Sequence, residues 1–143
     1  MNILKLNEEM CNILIKDLNK YDKFWDEKIL LDEVNNENSE YYVLVKDNDI
    51  IGFGGLWFNI DEAHIMNIAI REDLRRNGYG SEILNYLIKV AKMHKKNCIT
   101  LEVRENNFAA TRLYEKLDFQ VVGRRKKYYE NKFDAIIMTK YFN

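Results

Sequence analysis

Proline is absent from this chain, so helix and strand boundaries have to be read from glycine, asparagine and aspartate. Cysteine is scarce as well, and the two that occur, Cys11 and Cys98, do not make the cysteine-rich framework of a small secreted domain. Cys98 begins an apolar run, and neither thiol has an evident activating neighbour in the sequence. We therefore expect both cysteines to be reduced and buried, with a packing role.

The chain also lacks an excess of either charge, because 22 basic and 23 acidic side chains leave a formal net charge of −1. This balance argues against nucleic-acid and membrane partners. No apolar run approaches the ~20 residues that span a bilayer, and the N-terminus lacks the charged-then-apolar layout of a signal peptide, so we expect a cytoplasmic protein. The two histidines, His64 and His94, have no cysteine or carboxylate at ligand spacing, so we expect no metal.

The length of 143 residues, with 47% hydrophobic and 31% charged side chains, fits one soluble domain, residues 1–143. Apolar periodicity predicts helices at 8–20, 22–34, 77–94 and 108–117, and strands at 3–7, 41–46, 50–59, 62–70, 99–104, 119–124 and 133–141. In the helix at 77–94 the predicted inner stripe consists of Ile83, Leu84, Leu87, Ile88 and Ala91. This order combines hairpins with a β-α-β unit, which predicts an α/β fold with a mixed sheet and helices on both faces. Gly52, Gly54 and Gly55 indicate a bulge, or a close approach by another chain or a ligand.

A glycine loop stands between a predicted strand and a predicted helix, in the pattern Arg75-x-x-Gly78-x-Gly80. Backbone N–H groups and the helix dipole favour a phosphate at such a helix start. A P-loop is excluded because no lysine follows Gly80, and the dinucleotide fingerprint is excluded because Ile83 replaces its third glycine. A pyrophosphate-bearing ligand fits the pattern, and a flexible helix start with exposed arginines fits it equally well.

The glycine loop resembles the coenzyme A pyrophosphate loop, Gln/Arg-x-x-Gly-x-Gly/Ala, of the GNAT superfamily of N-acetyltransferases. The segment from Leu101 to Phe119 resembles a second motif of that superfamily, Leu-x-Val-x-x-x-Asn-x-x-Ala-x-x-Leu-Tyr-x-x-x-Gly-Phe. Further segments, 67–70, 124–129 and 134–138, resemble the RimI-type ribosomal-protein-alanine N-acetyltransferases. Two departures are Asp118, which stands where that motif has glycine, and Phe24-Trp25-Asp26, which stands where the family has Pro-Trp-Ser on the acceptor side.

The resemblance implies a GNAT fold, in which about seven strands form a mixed, mostly antiparallel sheet flanked by four helices, and acetyl-CoA as co-substrate. It implies Glu102 as general base and Tyr114 as general acid. It also implies a set of residues that bind the cofactor, through the main chain of the strand, around the pyrophosphate and near the pantetheine: Ile68, Ala69, Ile70, Arg75, Arg76, Asn77, Gly78, Tyr79, Gly80, Ser81 and Asn107. Tyr128 is implied at the acceptor groove.

The residues themselves leave other roles open. Glu102, between Leu101 and Val103, could be partly desolvated as a base, or could be a solvent-facing strand residue paired with Arg104 or a lysine. Tyr114 could be a core aromatic and Asn107 a helix cap, while Arg76 and Tyr79 could be exposed to solvent. The basic run from Arg124 to Lys127, beside two tyrosines, is more typical of a solvated strand end than of an RNA site.

The expected reaction is acetyl transfer from acetyl-CoA to a primary amine by direct attack, with the N-terminal α-amine of a protein as acceptor. By resemblance the partner is a small-subunit ribosomal protein beginning with alanine, and the enzyme is a monomer or a weak dimer. One alternative acceptor is a small amine, a polyamine or an aminoglycoside, which an acidic pocket of Asp61, Glu62 and Glu130 would favour. The other alternative is a non-catalytic acetyl-CoA sensor, which would not need Glu102 and Tyr114.

Overall fold

The computed structural model describes residues 2–19, 27–129 and 131–142. Within them the helices are α1 (Glu8–Asn19), α2 (Glu27–Val34), α3 (Tyr79–Met93) and α4 (Phe108–Lys116). The strands are β1 (Asn2–Lys5), β2 (Ser39–Lys46), β3 (Asp49–Phe58), β4 (Glu62–Ile70), β5 (Cys98–Arg104), β6 (Gln120–Tyr129) and β7 (Phe133–Tyr141). The predicted order of elements is confirmed. The start of the predicted helix 22–34, with Phe24-Trp25-Asp26, lies outside the described residues.

All seven strands of the described ranges form one sheet in the order β1-β2-β3-β4-β5-β7-β6. Only β4 and β5 run parallel, and every other neighbouring pair is antiparallel. The mixed, mostly antiparallel sheet is therefore confirmed. The largest error in the predicted bounds is at β6, which continues to Tyr129 and so includes the basic run that was expected to lie at its end.

Helices cover both faces of the sheet, as the sequence predicts. The predicted inner stripe of α3 is buried under one face, together with Tyr42 and Leu56. Cys11 and Leu14 of α1 and Leu30 of α2 pack under the other face. Tyr41 belongs to this second cluster, because neighbouring strand residues point to opposite faces of a sheet.

A bulge and close packing together account for the three glycines of β3. Opposite β2, Leu44 pairs with Gly52 and Val45 with Ile50, so Ile51 is the extra residue of a bulge. All three glycines also lie where neighbouring atoms pack closely on the strand, and a Cβ at Gly52 would lie 2.6 Å from Ile70 Cδ1 and 2.8 Å from the Ala69 carbonyl oxygen. A Cβ at Gly54 would lie 2.9 Å from Leu87 Cδ1, and one at Gly55 would overlap the Tyr41 ring. The predicted bulge therefore occurs, and the close approach is made by atoms of this chain rather than by another chain or a ligand.

Candidate active site

The two parallel strands in the middle of the sheet pair only at one end. Residues 62–64 of β4 pair with residues 98–100 of β5, and the strands separate beyond His64 and Thr100. A bulge in β4 accompanies the separation, because Gly55 pairs with Asn67 and Leu56 with Ile65, which leaves Met66 without a partner on β3. From Ile65 onward the edge of β4 that faces β5 is therefore not engaged in a strand ladder, and its main chain can pair with a ligand.

A cleft of about 290 Å³ lies where the strands separate. Its walls come from the second half of β4, from β5, and from α4 with its N-cap. The lining residues are Ile65, Met66, Asn67, Ile68, Leu101, Glu102, Val103, Arg104, Asn107, Ala110 and Tyr114. The structure thus brings Glu102, Tyr114, Asn107 and Ile68 to one cleft, although they come from three different elements. Ala69 is buried, and Ile70 pairs with Gly52 of β3 just beyond the cleft.

A second and larger cavity, of about 720 Å³, meets the cleft at its base. The two cavities share four lining residues: Ile65, Met66, Leu101 and Glu102. The second cavity is also lined by Trp57 and His64 and by residues of β6 and β7, among them Arg125 and Tyr128. We call it the acceptor cavity, after the acceptor groove that the resemblance predicts beside Tyr128, and we call the smaller space the cleft. Glu102 is the ionisable side chain among the four shared residues.

The Glu102 carboxylate is half-buried and forms an ion pair with Arg125, whose Nε lies 3.0 Å from Glu102 Oε1. The predicted alternative, pairing with Arg104 or a lysine, is therefore wrong about the partner. Arg104 stacks over Phe133 instead, with its guanidinium 4.3 Å from the ring centroid. Glu102 is thus a strand residue paired with an arginine, and it also faces both cavities.

Helix α4 carries the other predicted residues of the cleft. Asn107 caps the helix, since its Oδ1 accepts a hydrogen bond from the Ala110 N–H at 3.2 Å, and it lines the cleft as well. Tyr114 is half-buried, with its ring centroid 5.7 Å from that of Phe119. Asp118, which stands in place of the glycine of the resembled motif, adopts φ 68°. The left-handed conformation expected there is therefore kept without glycine.

The glycine loop lies at the start of α3, beyond the end of β4. Gly78 is the N-cap with φ 84°, and it offers no side-chain acceptor to the first amides of the helix. A Cβ at Gly78 would meet no atom within 4 Å, so there is open space beside these amides. Arg76 is exposed, and Arg75 donates from Nε to the Ile70 carbonyl at 3.1 Å. This open, amide-rich turn fits a pyrophosphate.

The structure also places the four other predicted residues of the loop. Asn77 stabilises the turn, because its Nδ2 donates hydrogen bonds to the backbone carbonyls of Leu74 and Arg75. The Tyr79 hydroxyl accepts a hydrogen bond from Lys46 Nζ at 2.7 Å, so Tyr79 is tied to the end of β2. Gly80 and Ser81 are half-buried in the first turn of α3.

The acceptor cavity also contains Trp57 and His64, which the sequence did not predict to be functional. His64 Nε2 lies 3.3 Å from Glu62 Oε1, and the His64 ring packs edge-on against Trp57. The Asn59 amide, and then His64, hold the pKa of Glu62 below its usual range. Side chains alternate along a strand, so residues 62, 64 and 66 of β4 lie on one face. This two-residue period is the feature of the sequence that could have grouped them.

The predicted acidic pocket assembles in part. Asp61 and Glu62 both line a cavity of about 460 Å³ that also contains Cys98, and Glu62 lines the acceptor cavity as well. Glu130 lies outside the described residues. Cys11 and Cys98 are buried, as predicted. Burial and the neighbouring Glu62 raise the pKa of the Cys98 thiol to about 11. Among the residues that the structure describes, no cluster could hold a metal ion and no helix could cross a membrane.

Comparison with known proteins identifies the family. A sequence model of the Acetyltransferase (GNAT) family matches residues 7–119. The ribosomal protein bS18-alanine N-acetyltransferase of Haemophilus influenzae is 37% identical over 113 residues, which are 75% of this chain and 77% of that protein. The protein of the same name from Escherichia coli K12 is 34% identical over 120 residues, 80% of this chain and 79% of that one.

Solved structures agree with these relatives. The ribosomal-protein-S18-alanine N-acetyltransferase from Escherichia coli superposes with a TM-score of 0.87 at 30% identity, covering 96% of this chain and 91% of that one. A GNAT family acetyltransferase from Elizabethkingia anophelis, solved with acetyl-CoA bound, shares the fold with a TM-score of 0.81 at 20% identity, covering 99% of this chain and 97% of that one. The chain belongs to the acetyltransferase (GNAT) family. It is an acetyl-CoA-dependent N-acetyltransferase with acetyl-CoA as co-substrate, and these predictions are confirmed.

Proposed function

We propose that this acetyltransferase acetylates the α-amine of a protein N-terminus, with an N-terminal alanine of a small-subunit ribosomal protein as the acceptor. The observation that carries the proposal is the meeting of the cleft and the acceptor cavity at Glu102. The names of the relatives at 34% and 37% identity support the choice of acceptor. An acceptor that enters through the larger cavity reaches the carboxylate without crossing the cleft.

The cleft side is assigned to acetyl-CoA, which supplies an acetyl group activated as a thioester. The N–H groups at the start of α3, with Arg75 and Arg76, would hold its pyrophosphate, because a helix N-terminus and arginines favour phosphate. The unpaired edge of β4 around Ile68–Ile70 would pair with the amides of its pantetheine arm. Asn107, which also caps α4, would contact the same arm.

Glu102 and Tyr114 carry the proton transfers in this proposal. Glu102 accepts a proton from the acceptor's ammonium group, directly or through a water, which leaves the amine lone pair free to attack. Tyr114, on the α4 wall of the cleft, donates its phenolic proton to the sulfur as the C–S bond of the tetrahedral intermediate breaks, and it regains a proton from the nitrogen that has become the amide. Holding both reactants at one opening in the sheet also supplies proximity, which can contribute roughly 7–11 kcal/mol.

A polycationic small amine fits the acceptor cavity less well. Its walls carry Glu62 and Glu102, but also the guanidinium of Arg125, which already neutralises Glu102. Several cationic centres of one small molecule would meet this mixed charge rather than a concentrated acidic surface. A peptide brings a single amine to Glu102 and main-chain and side-chain groups to the rest of the cavity.

Mass spectrometry of two matched peptides tests the acceptor. One peptide begins with a free alanine, and the other is N-terminally blocked and contains lysine. With acetyl-CoA present, we expect an acetyl mass shift on the free N-terminus alone. A shift confined to the blocked peptide would identify a lysine acetyltransferase instead. No shift on either peptide, with coenzyme A bound, would contradict the proposal and favour a small amine or a sensor.

The substitution Glu102→Gln tests the role of the base, because it keeps the shape of the side chain and removes its ability to take a proton. We expect acetyl-CoA affinity within twofold of wild type by calorimetry, and turnover lowered by about 10²–10⁴-fold. Glu105→Gln is the matched control, since Glu105 pairs with Arg124 outside the cleft. Full activity in the Glu102 variant would remove this residue from the mechanism.

A further inference from the structure

The strand that brings Arg125 and Tyr128 to the acceptor cavity is interrupted beside them. Arg125 pairs with Ala135 and Tyr129 pairs with Phe133, so residues 126–128 of β6 lie opposite Asp134 alone. We call residues 126–128 the β6 bulge. Lys127 within it has φ 50°, a left-handed conformation that a non-glycine residue rarely adopts without support. Something in the fold must therefore fix this segment.

The Asp134 carboxylate provides that support. It is largely buried, with 12% of the side chain exposed. Its Oδ1 accepts a hydrogen bond from the Lys127 N–H at 2.8 Å, which replaces the ladder bond that the bulge removes. Its Oδ2 accepts from Arg124 Nη1 at 2.7 Å and lies 3.7 Å from Lys126 Nζ. Charge-assisted bonds of this kind are stronger than neutral ones.

The residues on either side of these contacts face the acceptor cavity. Arg124 points to Asp134, and its neighbour Arg125, on the opposite side of the strand, points to Glu102. The Arg125 guanidinium also lies 5.5 Å from the centroid of the Tyr128 ring. Arg125 and Tyr128 are each more than half exposed, so the course of the β6 backbone contributes, together with these contacts, to placing them at the cavity wall.

We infer that Asp134 is a positioning residue for the acceptor: it fixes the β6 bulge, and the bulge holds Arg125 and Tyr128 at the acceptor cavity beside Glu102. The inference rests on the proposed function, because it assigns these two side chains to the acceptor rather than to acetyl-CoA. Asp134 does not line either cavity and acts through its neighbours. Its removal should therefore change acceptor recognition and leave the acetyl-CoA side intact.

Steady-state kinetics of Asp134→Asn and Asp134→Ala test the inference with the alanine peptide as acceptor. We expect the KM for the peptide to rise by about tenfold or more, the effect of losing one charge-assisted bond, and the KM for acetyl-CoA to stay within twofold. Glu105→Gln is the control, because Glu105 shares Arg124 with Asp134 but makes no contact with the bulge. Equal changes in both KM values, or an unchanged peptide KM, would overturn the inference.

A double-mutant comparison separates positioning from a loss of stability. If Asp134 acts through the two side chains, adding Asp134→Ala to an Arg125→Gln/Tyr128→Ala background should change the peptide KM by less than twofold, because interacting residues are not additive. A purely structural role would lower the active fraction in every background and leave KM unchanged. A full additional rise in KM in that background would also contradict the inference.

Amide hydrogen exchange provides a readout that does not need activity. We expect the Lys127 N–H to exchange faster in Asp134→Ala than in wild type or Glu105→Gln. Unchanged exchange would show that the carboxylate does not hold the bulge. If the wild type acetylates no alanine peptide, the proposed function fails, and the exchange measurement still decides whether Asp134 fixes the segment.

Discussion

A substitution at Gly78 is the most direct test of the proposed pyrophosphate site. Its φ of 84° is left-handed, and a Cβ there would meet no protein atom within 4 Å. Gly78→Ala therefore creates no collision in the protein alone. Its cost to the fold is conformational, about 1–2 kcal/mol for an L-residue in this region, which should lower the Tm by a few degrees.

The same substitution should weaken the binding of acetyl-CoA by more than it lowers the stability of the fold. If the pyrophosphate lies against the first amides of α3, the methyl group occupies the space through which it approaches. The loss of one charge-assisted hydrogen bond costs about 1.5–3 kcal/mol, which weakens binding by roughly 10- to 150-fold. Isothermal titration calorimetry with acetyl-CoA, on protein shown to be folded by circular dichroism, measures this directly.

Gly80→Ala is the matched control for Gly78→Ala. Gly80 lies within α3 at an ordinary helical φ, and a Cβ there would lie 3.6 Å from Leu113 Cδ2, a normal contact. Alanine also favours a helix over glycine by up to about 1 kcal/mol. We expect this variant to be as stable as wild type or more so, and to keep its affinity for acetyl-CoA. Wild-type affinity in Gly78→Ala, together with its expected loss of stability, would refute the placement of the pyrophosphate.

Three further predictions concern stability and reactivity. The Lys127 amide and Arg124 hold the pKa of Asp134 below its usual value, so its contribution to stability is present above about pH 4 and is lost as pH falls through the lower folded pKa. Thermal melts of wild type and Asp134→Asn should therefore converge in acid; a constant difference would contradict this. Gly55→Ala should destabilise the protein by about 1–3 kcal/mol in urea melts, because its Cβ overlaps the Tyr41 ring; an unchanged midpoint would show that the ring moves aside. Cys98, buried with a pKa of about 11, should resist iodoacetamide at neutral pH until the protein unfolds, and rapid labelling of the native protein would refute this.

The sequence predicted most reliably what local pattern controls. The bounds of β4 and the buried stripe of α3 follow from periodicity within one element, and both are confirmed. The placement of Glu102 and Tyr114 at one cleft came from the resemblance to a family, since no local pattern relates β5 to α4. Their chemical roles stay predictions that the Glu102→Gln experiment tests.

Features that depend on strand pairing could not be predicted in this way. Met66 is the extra residue of a bulge because its two neighbours on β4 pair with Gly55 and Leu56 of β3. A single sequence does not show this register. Arg125 was expected at a solvated strand end, because its run is basic. It reaches Glu102 because β7 lies between β5 and β6, and this strand order is a property of the whole sheet.

The arrangement of nucleophiles around the two cavities favours direct acetyl transfer over a covalent acetyl-enzyme. Among the described residues no cysteine lines the cleft or the acceptor cavity: Cys11 is fully buried, and Cys98 lines a third cavity, which shares Glu62 and Tyr141 with the acceptor cavity. The Thr100 hydroxyl, in the acceptor cavity, is already bonded to the Met138 carbonyl and to Thr139. In the proposed mechanism Glu102, the ionisable side chain that the two cavities share, serves the amine of the acceptor directly. Because the separated strands open both cavities onto this one carboxylate, the amine and the thioester can meet without an intermediate carrier.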